Sequence, residues 1–189
     1  YKEKKMFIQT EQTPNPNTLK FIPGRDVSPE KNVSYEKAED ADNSPLAKRM
    51  FAIEGISSVF LGKDFISISK SEKIDWQVMK SLILTQLMQH FMSDEKVVDI
   101  VNEESKIKVS EEDKEVALQI EELLETRVRP SVAGHGGDII FHGYSEGVVE
   151  LEMKGACSGC PSSLATLKAG VENMLRHYIP EVSEVREVN

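Results

Sequence analysis

Apolar and polar positions change period repeatedly along this chain, and each change marks a predicted element. Residues 6–10 and 18–22 read as strands. Between them Thr13-Pro14-Asn15-Pro16-Asn17 places two prolines that cannot donate to a ladder, which predicts an irregular turn. Residues 24–43 are mostly polar and read as a loop with a short strand near Val33-Ser34-Tyr35. Ser44-Pro45 then opens a helix, serine as N-cap and proline at the first helical position. Leu46, Met50 and Ile53 follow at helical spacing, and Gly55 marks the stop. Residues 56–61 and 65–69 form a predicted hairpin around Gly62-Lys63-Asp64. Asp75 caps a helix that should bury Met79, Leu82, Ile83, Leu87 and Phe91 on one side.

From Asp94 to Glu115 the pattern dissolves into nine acids against four lysines, a composition that repels itself and stays hydrated. The apolar patch Val97-Val98-Asp99-Ile100-Val101 interrupts it and is able to dock locally. This predicts a domain over 6–92, an acidic linker over 93–112 and a second domain over 113–189. The second domain opens with Val116, Ile120, Leu123, Leu124 and Val128 at i, i+4, i+7, i+8 and i+12, a core-facing stripe that Pro130 should end. A corner, Gly134-His135-Gly136-Gly137, leads to a hairpin of residues 138–142 and 148–153. A helix from Pro161 carries Leu164, Leu167, Val171, Leu175 and Tyr178 on one side. Pro180 ends it, and Val182, Val185 and Val188 suggest a last strand. The fold class expected is α/β (α+β) in two small domains: strands–helix–hairpin–helix, then α-β-β-α-β.

Composition narrows the function. The net charge is −9 over 189 residues, so neither nucleic acid nor an anionic membrane surface is the expected partner. No apolar run approaches the roughly 20 residues of a membrane span, and no signal-peptide core is visible. The opening Tyr1-Lys2-Glu3-Lys4-Lys5-Met6 reads as trimmed sequence or a short leader before a native Met6. Two cysteines in the whole chain disfavour a disulfide-stapled secreted module and favour a reducing compartment.

Those two cysteines stand together in Gly155-Ala156-Cys157-Ser158-Gly159-Cys160-Pro161. Thiolates at this spacing can grip a soft metal ion or neighbouring irons of a cluster. Small residues allow the tight turn and let backbone N–H groups approach sulfur. Cys160 falls at the N-cap position and Pro161 at N1, so the helix dipole favours thiolate. Ser162 and Ser163 are further potential donors, and Lys154 adds positive potential. Tetrahedral zinc and cubane clusters usually need four strong ligands, so one chain supplies half a site. Spacing alone leaves three other readings beside a cluster: buried core cysteines, a dithiol–disulfide oxidoreductase and a structural zinc bridge. Against the oxidoreductase, the helix follows a hairpin rather than the expected βαβ unit, and no aromatic precedes Cys157. The histidines read as structural: His90 and His177 near helix C-terminal ends, His135 in the glycine corner, and His142 without ligand spacing to the cysteines. Trp76 reads as a core anchor, and Met79, Met88 and Met92 as packing residues.

The stretch from Glu150 through Cys157 and Cys160 to Glu172 resembles the C-terminal domain of NifU-like (Nfu) iron–sulfur cluster scaffold proteins. Val128-Arg129-Pro130 and Gly136-Gly137-Asp138 fit the same domain. Thr13-Pro14-Asn15-Pro16-Asn17-Thr18-Leu19-Lys20-Phe21 and Glu54-Gly55-Ile56 resemble the Nfu N-terminal domain. The resemblance implies a non-enzymatic carrier that binds a [4Fe–4S] cluster through Cys157 and Cys160 and passes it to apo-proteins. Ligand counting then implies one cluster per homodimer, each subunit giving both cysteines. Expected partners are a second copy, upstream cluster-assembly proteins and apo iron–sulfur proteins. The expected location is the bacterial cytoplasm or, alternatively, the mitochondrial matrix.

Overall fold

The structure, a computed structural model, describes residues 7–99, 109–156 and 161–188, with backbone alone for 161–166. The chain divides into two compact units, Tyr1–Asn102 and Glu103–Asn189. Each has its own hydrophobic core and its own sheet.

The first unit is a five-stranded antiparallel sheet in the order β1-β2-β5-β4-β3. Its strands are β1 (Gln9–Gln12), β2 (Thr18–Ile22), β3 (Val33–Tyr35), β4 (Ile56–Leu61) and β5 (Ile66–Lys70). β1 lies later than the sequence suggested, and Met6 falls outside the described residues. The proline turn before β2 is organised by side chains: Thr13 Oγ1 donates to Asn15 O, and Asn17 N donates to Asn15 Oδ1. Trp76 anchors it, its Nε1 donating to Pro16 O at 2.9 Å.

Helix α1 (Pro45–Phe51) starts as its capping pair predicts, with Ala47 N donating to Ser44 Oγ at 3.0 Å. Leu46, Ala47 and Met50 are fully buried. Ile53 joins the core from just beyond the helix end. The Ser44 hydroxyl also donates to Val97 O at 2.6 Å, and Asp99 N donates to Asn43 O at 2.7 Å. Residues 97 and 98 therefore pack on the first core instead of leaving it.

Helix α2 (Trp76–Met92) begins where Asp75 Oδ1 accepts from Gln77 N. It buries Met79, Ile83, Leu87, His90 and Phe91. Three expectations fail on this helix. Leu82 is 50% exposed, Met88 40% and Met92 76%, so none packs in the core. The exposed side interleaves Val78, Leu82, Met88 and Met92 with Gln77, Ser81, Thr85 and Gln89, so periodicity had no uniformly polar side to choose against. His90 is wholly buried, and its imidazole makes no hydrogen bond to a terminal carbonyl.

In the second unit, β6 (Gly137–Ser145), β7 (Val148–Gly155) and β8 (Glu184–Glu187) form a sheet in that order. α3 (Lys114–Leu123), α4 (Arg129–Gly134) and α5 (Pro161–Tyr178) complete the unit. Pro130 does not end the first helix. Residues 124–128 make a wide turn in which Arg129 N donates to Leu124 O, an i→i+5 bond, and α4 continues from there. Pro130 then sits in the first turn of α4, where no intrahelical partner is needed for the missing N–H. Tyr178, expected on the buried side of α5, is 47% exposed, and Ile179 takes that role.

The β6–β7 hairpin closes through Glu146 and Gly147, both at positive φ (49° and 80°), with Ser145 opposite Val148. Such a two-residue turn matches the right-handed strand twist. A side chain at Gly147 would meet Ser183 Oγ at 2.7 Å and Glu181 O at 3.1 Å. Gly147 O in turn accepts from Ser183 N and Glu184 N, which fixes the entry to β8. β8 pairs parallel to β7, so β7, α5 and β8 form a β-α-β crossover. This corrects the expectation that the helix following the cysteines in sequence lacks that context.

Candidate metal centre

β7 delivers the chain to the cysteine segment, and α5 takes it away. Cys157 and Cys160 themselves lie outside the described residues. The positions that hold both ends of the segment are described. Gly155, the last residue of β7, has φ +66°, a left-handed turn that side chains resist. Ala156 follows, 2% exposed, its N–H donating to Gly136 O at 3.1 Å. Gly155 faces Gly137 across the ladder, so the two backbones meet here without intervening side chains. On the far side α5 starts at Pro161 and carries no acid in its first turn. The positive end of an 18-residue helix favours negative charge at that point.

The glycine corner that receives Ala156 is itself clamped. Asp138 is 2% exposed, and its carboxylate accepts from Arg129 Nε at 2.9 Å and Arg129 Nη2 at 3.0 Å. Asp138 Oδ1 also accepts from Ile139 N at 2.8 Å. Arg129 reaches back to Glu125 Oε2 at 2.6 Å. The hydrogen bond to Asp138 pushes the guanidinium pKa above its already high ordinary value, against the opposing effect of burial. This fork ties the start of α4 to the start of β6, and hence fixes the carbonyl of Gly136. Arg129 and Asp138 appeared in the sequence only as matching positions. An arginine nine residues before an aspartate at a strand start was the available signal, and spacing gave it no role.

On the sheet face, Glu152 uses both carboxylate oxygens: Lys154 Nζ lies 2.5 Å from Oε1 and His142 Nε2 lies 2.6 Å from Oε2. Burial raises the Glu152 pKa, but the hydrogen bonds from Lys154 and His142 outweigh it and hold the group below its ordinary value. Lys154, three residues before Cys157, is thus positioned by an ion pair and is 17% exposed at its side chain. His135 caps α4 and is exposed. His177 stands edge-on to Tyr178 at 5.0 Å. Among the described residues, no group of three or more His, Cys, Asp or Glu could hold a metal ion.

Residues 8–94 match the family model described as Scaffold protein Nfu/NifU N terminal, and residues 120–186 match the NifU-like domain. The chain belongs to the Nfu/NifU family. It is 48% identical over 184 residues to a Drosophila sechellia protein named NFU1 iron-sulfur cluster scaffold homolog, mitochondrial. That match covers 97% of this chain and 65% of the relative, so the chain spans about two thirds of the fruit-fly protein's length. A human protein of the same name is 48% identical over 186 residues, covering 97% of this chain and 72% of that one. Among solved structures, a NifU-like protein from Saccharomyces cerevisiae aligns with TM-score 0.48 and 25% identity, over 53% of this chain and 91% of that one. The NifU-like match runs from α3 through β8 and so includes the cysteine segment together with the Arg129–Asp138 clamp.

Proposed function

We propose that this chain is an iron–sulfur cluster scaffold that holds a [4Fe–4S] cluster as cargo on Cys157 and Cys160 of two copies and hands it to apo-proteins. One observation carries the reading: the chain's two cysteines both fall inside the NifU-like match, between the anchored end of β7 and the start of α5. The relatives' names, iron-sulfur cluster scaffold, support the role. A pair of thiolates leaves a cubane half-ligated, so a two-fold arrangement completes it. A cluster held between subunits is open to attack by an acceptor's thiolates, which suits delivery over storage. No step in this role requires turnover of a substrate. The mitochondrial label of the relatives favours the mitochondrial matrix over the bacterial cytoplasm.

Anaerobic reconstitution with iron and sulfide, read by native mass spectrometry, is the test. The expected product is a dimer with about four irons and four sulfides. Cys157→Ser or Cys160→Ser should each abolish it. A stable monomer carrying a whole cluster, a Cys157→Ser chain that retains one, or a dimer that takes up only zinc would each overturn the proposal.

The β7-α5-β8 crossover favours one further reading, since a C-x-x-C at the start of a helix inside such a unit is also the dithiol arrangement. One thiolate would attack a substrate disulfide and the other would displace the mixed disulfide, leaving a Cys157–Cys160 bond and a reduced substrate. Insulin-disulfide reduction by the iron-free chain, with dithiothreitol as reductant, would establish it; thiol-independent background rates would remove it.

A further inference from the structure

Beyond α2 the chain turns back on its own unit. Asp94 takes a positive φ of 57°, and the residues after it return to the start of α1. There Ser44 Oγ donates to Val97 O at 2.6 Å, Asp99 N donates to Asn43 O at 2.7 Å, and Asn43 Nδ2 donates to Asp99 O at 3.0 Å. Asn43 is itself oriented by Tyr35, whose hydroxyl donates to Asn43 Oδ1 at 2.7 Å. Val97 and Val98 are half-buried against the core, while Asp94, Glu95, Lys96 and Asp99 are exposed. The Nfu N-terminal match stops at residue 94 and the NifU-like match begins at 120, so residues 95–99 of this strap lie outside both.

His90 sits against the strap, wholly buried, with neither ring nitrogen hydrogen-bonded. The charged groups facing it are Glu95 from the strap, Arg49 from α1 and Arg25 from the loop between β2 and β3. Phe91 of α2 meets the ring edge-on at 5.6 Å. Glu95 Oε2 lies 3.8 Å from Nδ1, and Glu95 is already shared with Arg49, its Oε1 3.6 Å from Nη2. A protonated imidazole carries two N–H donors. Glu95 stands near one of them and nothing described accepts from the other, so a buried cation here needs water. Both arginines oppose it as well. Of the elements around the ring, the strap is the one this unit can release while keeping its core. It is held by hydrogen bonds at one end and two half-buried valines, whereas α1 and α2 contribute the wholly buried Met50 and Leu87.

We propose that residues 94–99 form a pH-sensitive strap, closed over a neutral His90 and released from Asn43 and Ser44 when the ring is protonated and hydrated. Release leaves up to about 20 Å more chain free between the two units. The inference rests on the first unit alone, so it stands or falls separately from the cluster reading.

Native-state hydrogen exchange on the full chain, followed by NMR in low urea, tests it. The Asp99 amide reports the strap, and the Ile83 and Leu87 amides report the core. Asp99 should be protected well below the core amides, and its exchange should respond little to urea, as a local opening does. Corrected for the intrinsic pH dependence of exchange, its protection should fall about three- to tenfold from about pH 7.5 to 5.5, a range set by an imidazole pKa near 6.5 once the strap is open. His90→Leu should abolish this pH response and keep the strap closed. Asn43→Ala should lower Asp99 protection at least about threefold at both pH values. Circular dichroism melts verify that both variants fold. An Asp99 amide that exchanges only together with Ile83 and Leu87 overturns the proposal. So does a pH response below about twofold, or one that survives in His90→Leu.

Discussion

His90 keeps two ring nitrogens fully buried without a hydrogen-bond partner, the sole such side chain among the described residues. Glu95 Oε2 stands 3.8 Å from Nδ1, outside hydrogen-bond range. Burial holds the imidazole pKa below 6.5; Glu95 pulls it up, and Arg49 and Arg25 push it down. The folded state therefore binds fewer protons than the unfolded chain once pH drops below 6.5. Stability from this group is complete above that pH and is lost as pH falls through the lowered folded pKa. Urea unfolding followed at about pH 7.5 and pH 5.5 should show the first unit weakening on acidification. His90→Leu should match or exceed the parent's stability, because an unpaired buried polar group is removed, and should flatten the pH response. A variant that loses stability at both pH values would show that the ring is held by contacts other than those described. At the same scale, Arg129→Ala leaves the Asp138 carboxylate buried beside an empty fork. The expected loss is about 2 kcal/mol, less than the roughly 3–5 kcal/mol of a fully buried broken pair, because the Arg129 side chain is 35% exposed. Thermal melts of Arg129→Ala and Arg129→Lys check this, with lysine recovering charge but not the two-pronged geometry.

Elements were legible where one local rule dominated. Ser44-Pro45 and Asp75 gave both helix starts in the first unit because capping is decided within three residues. β2, β3, β4 and the start of α5 emerged for similar local reasons. The misses needed information from elsewhere in the chain. Leu82 and Met92 could not be placed because the exposed side of α2 interleaves them with Gln77, Ser81, Thr85 and Gln89. Pro130 was read as a terminator because the wide turn that absorbs it has no sequence mark. The orientation of β8, and so the crossover around the cysteine segment, is set by pairing with β7 and not by any residue within it. The cysteine pair itself was visible at once; the Arg129–Asp138 clamp was not, since the two residues are nine positions apart and look like surface charges. Gly147→Ala tests how far the hairpin turn depends on local backbone. A Cβ there meets Glu181 O and Ser183 Oγ at positive φ, so a loss of about 1–3 kcal/mol is expected. The melt of the second unit is the readout, and an unchanged melting temperature would show that the turn relaxes at no cost.

At the scale of the molecule, the two cores share no residue. Ile83 and Leu151 are each wholly buried, one in each core. Ile83→Ala should cost about 2–5 kcal/mol and move only the first unit's calorimetric transition; Leu151→Ala should move only the second's. A common shift of both transitions in either variant would mean that the units unfold together. The cluster proposal gains a control from this division: Ile83→Ala should leave iron uptake by the cysteines intact.

The parallel pairing of β8 with β7 has a consequence in time as well as space. A ribosome exposes Cys157 and Cys160 before it exposes residues 184–187, the strand that completes the crossover. During that interval the thiols sit on a chain whose downstream half has no seat in the sheet. On the scaffold proposal, cargo loading is expected after translation has passed β8, and a nascent chain stalled short of it is expected to carry bare thiols.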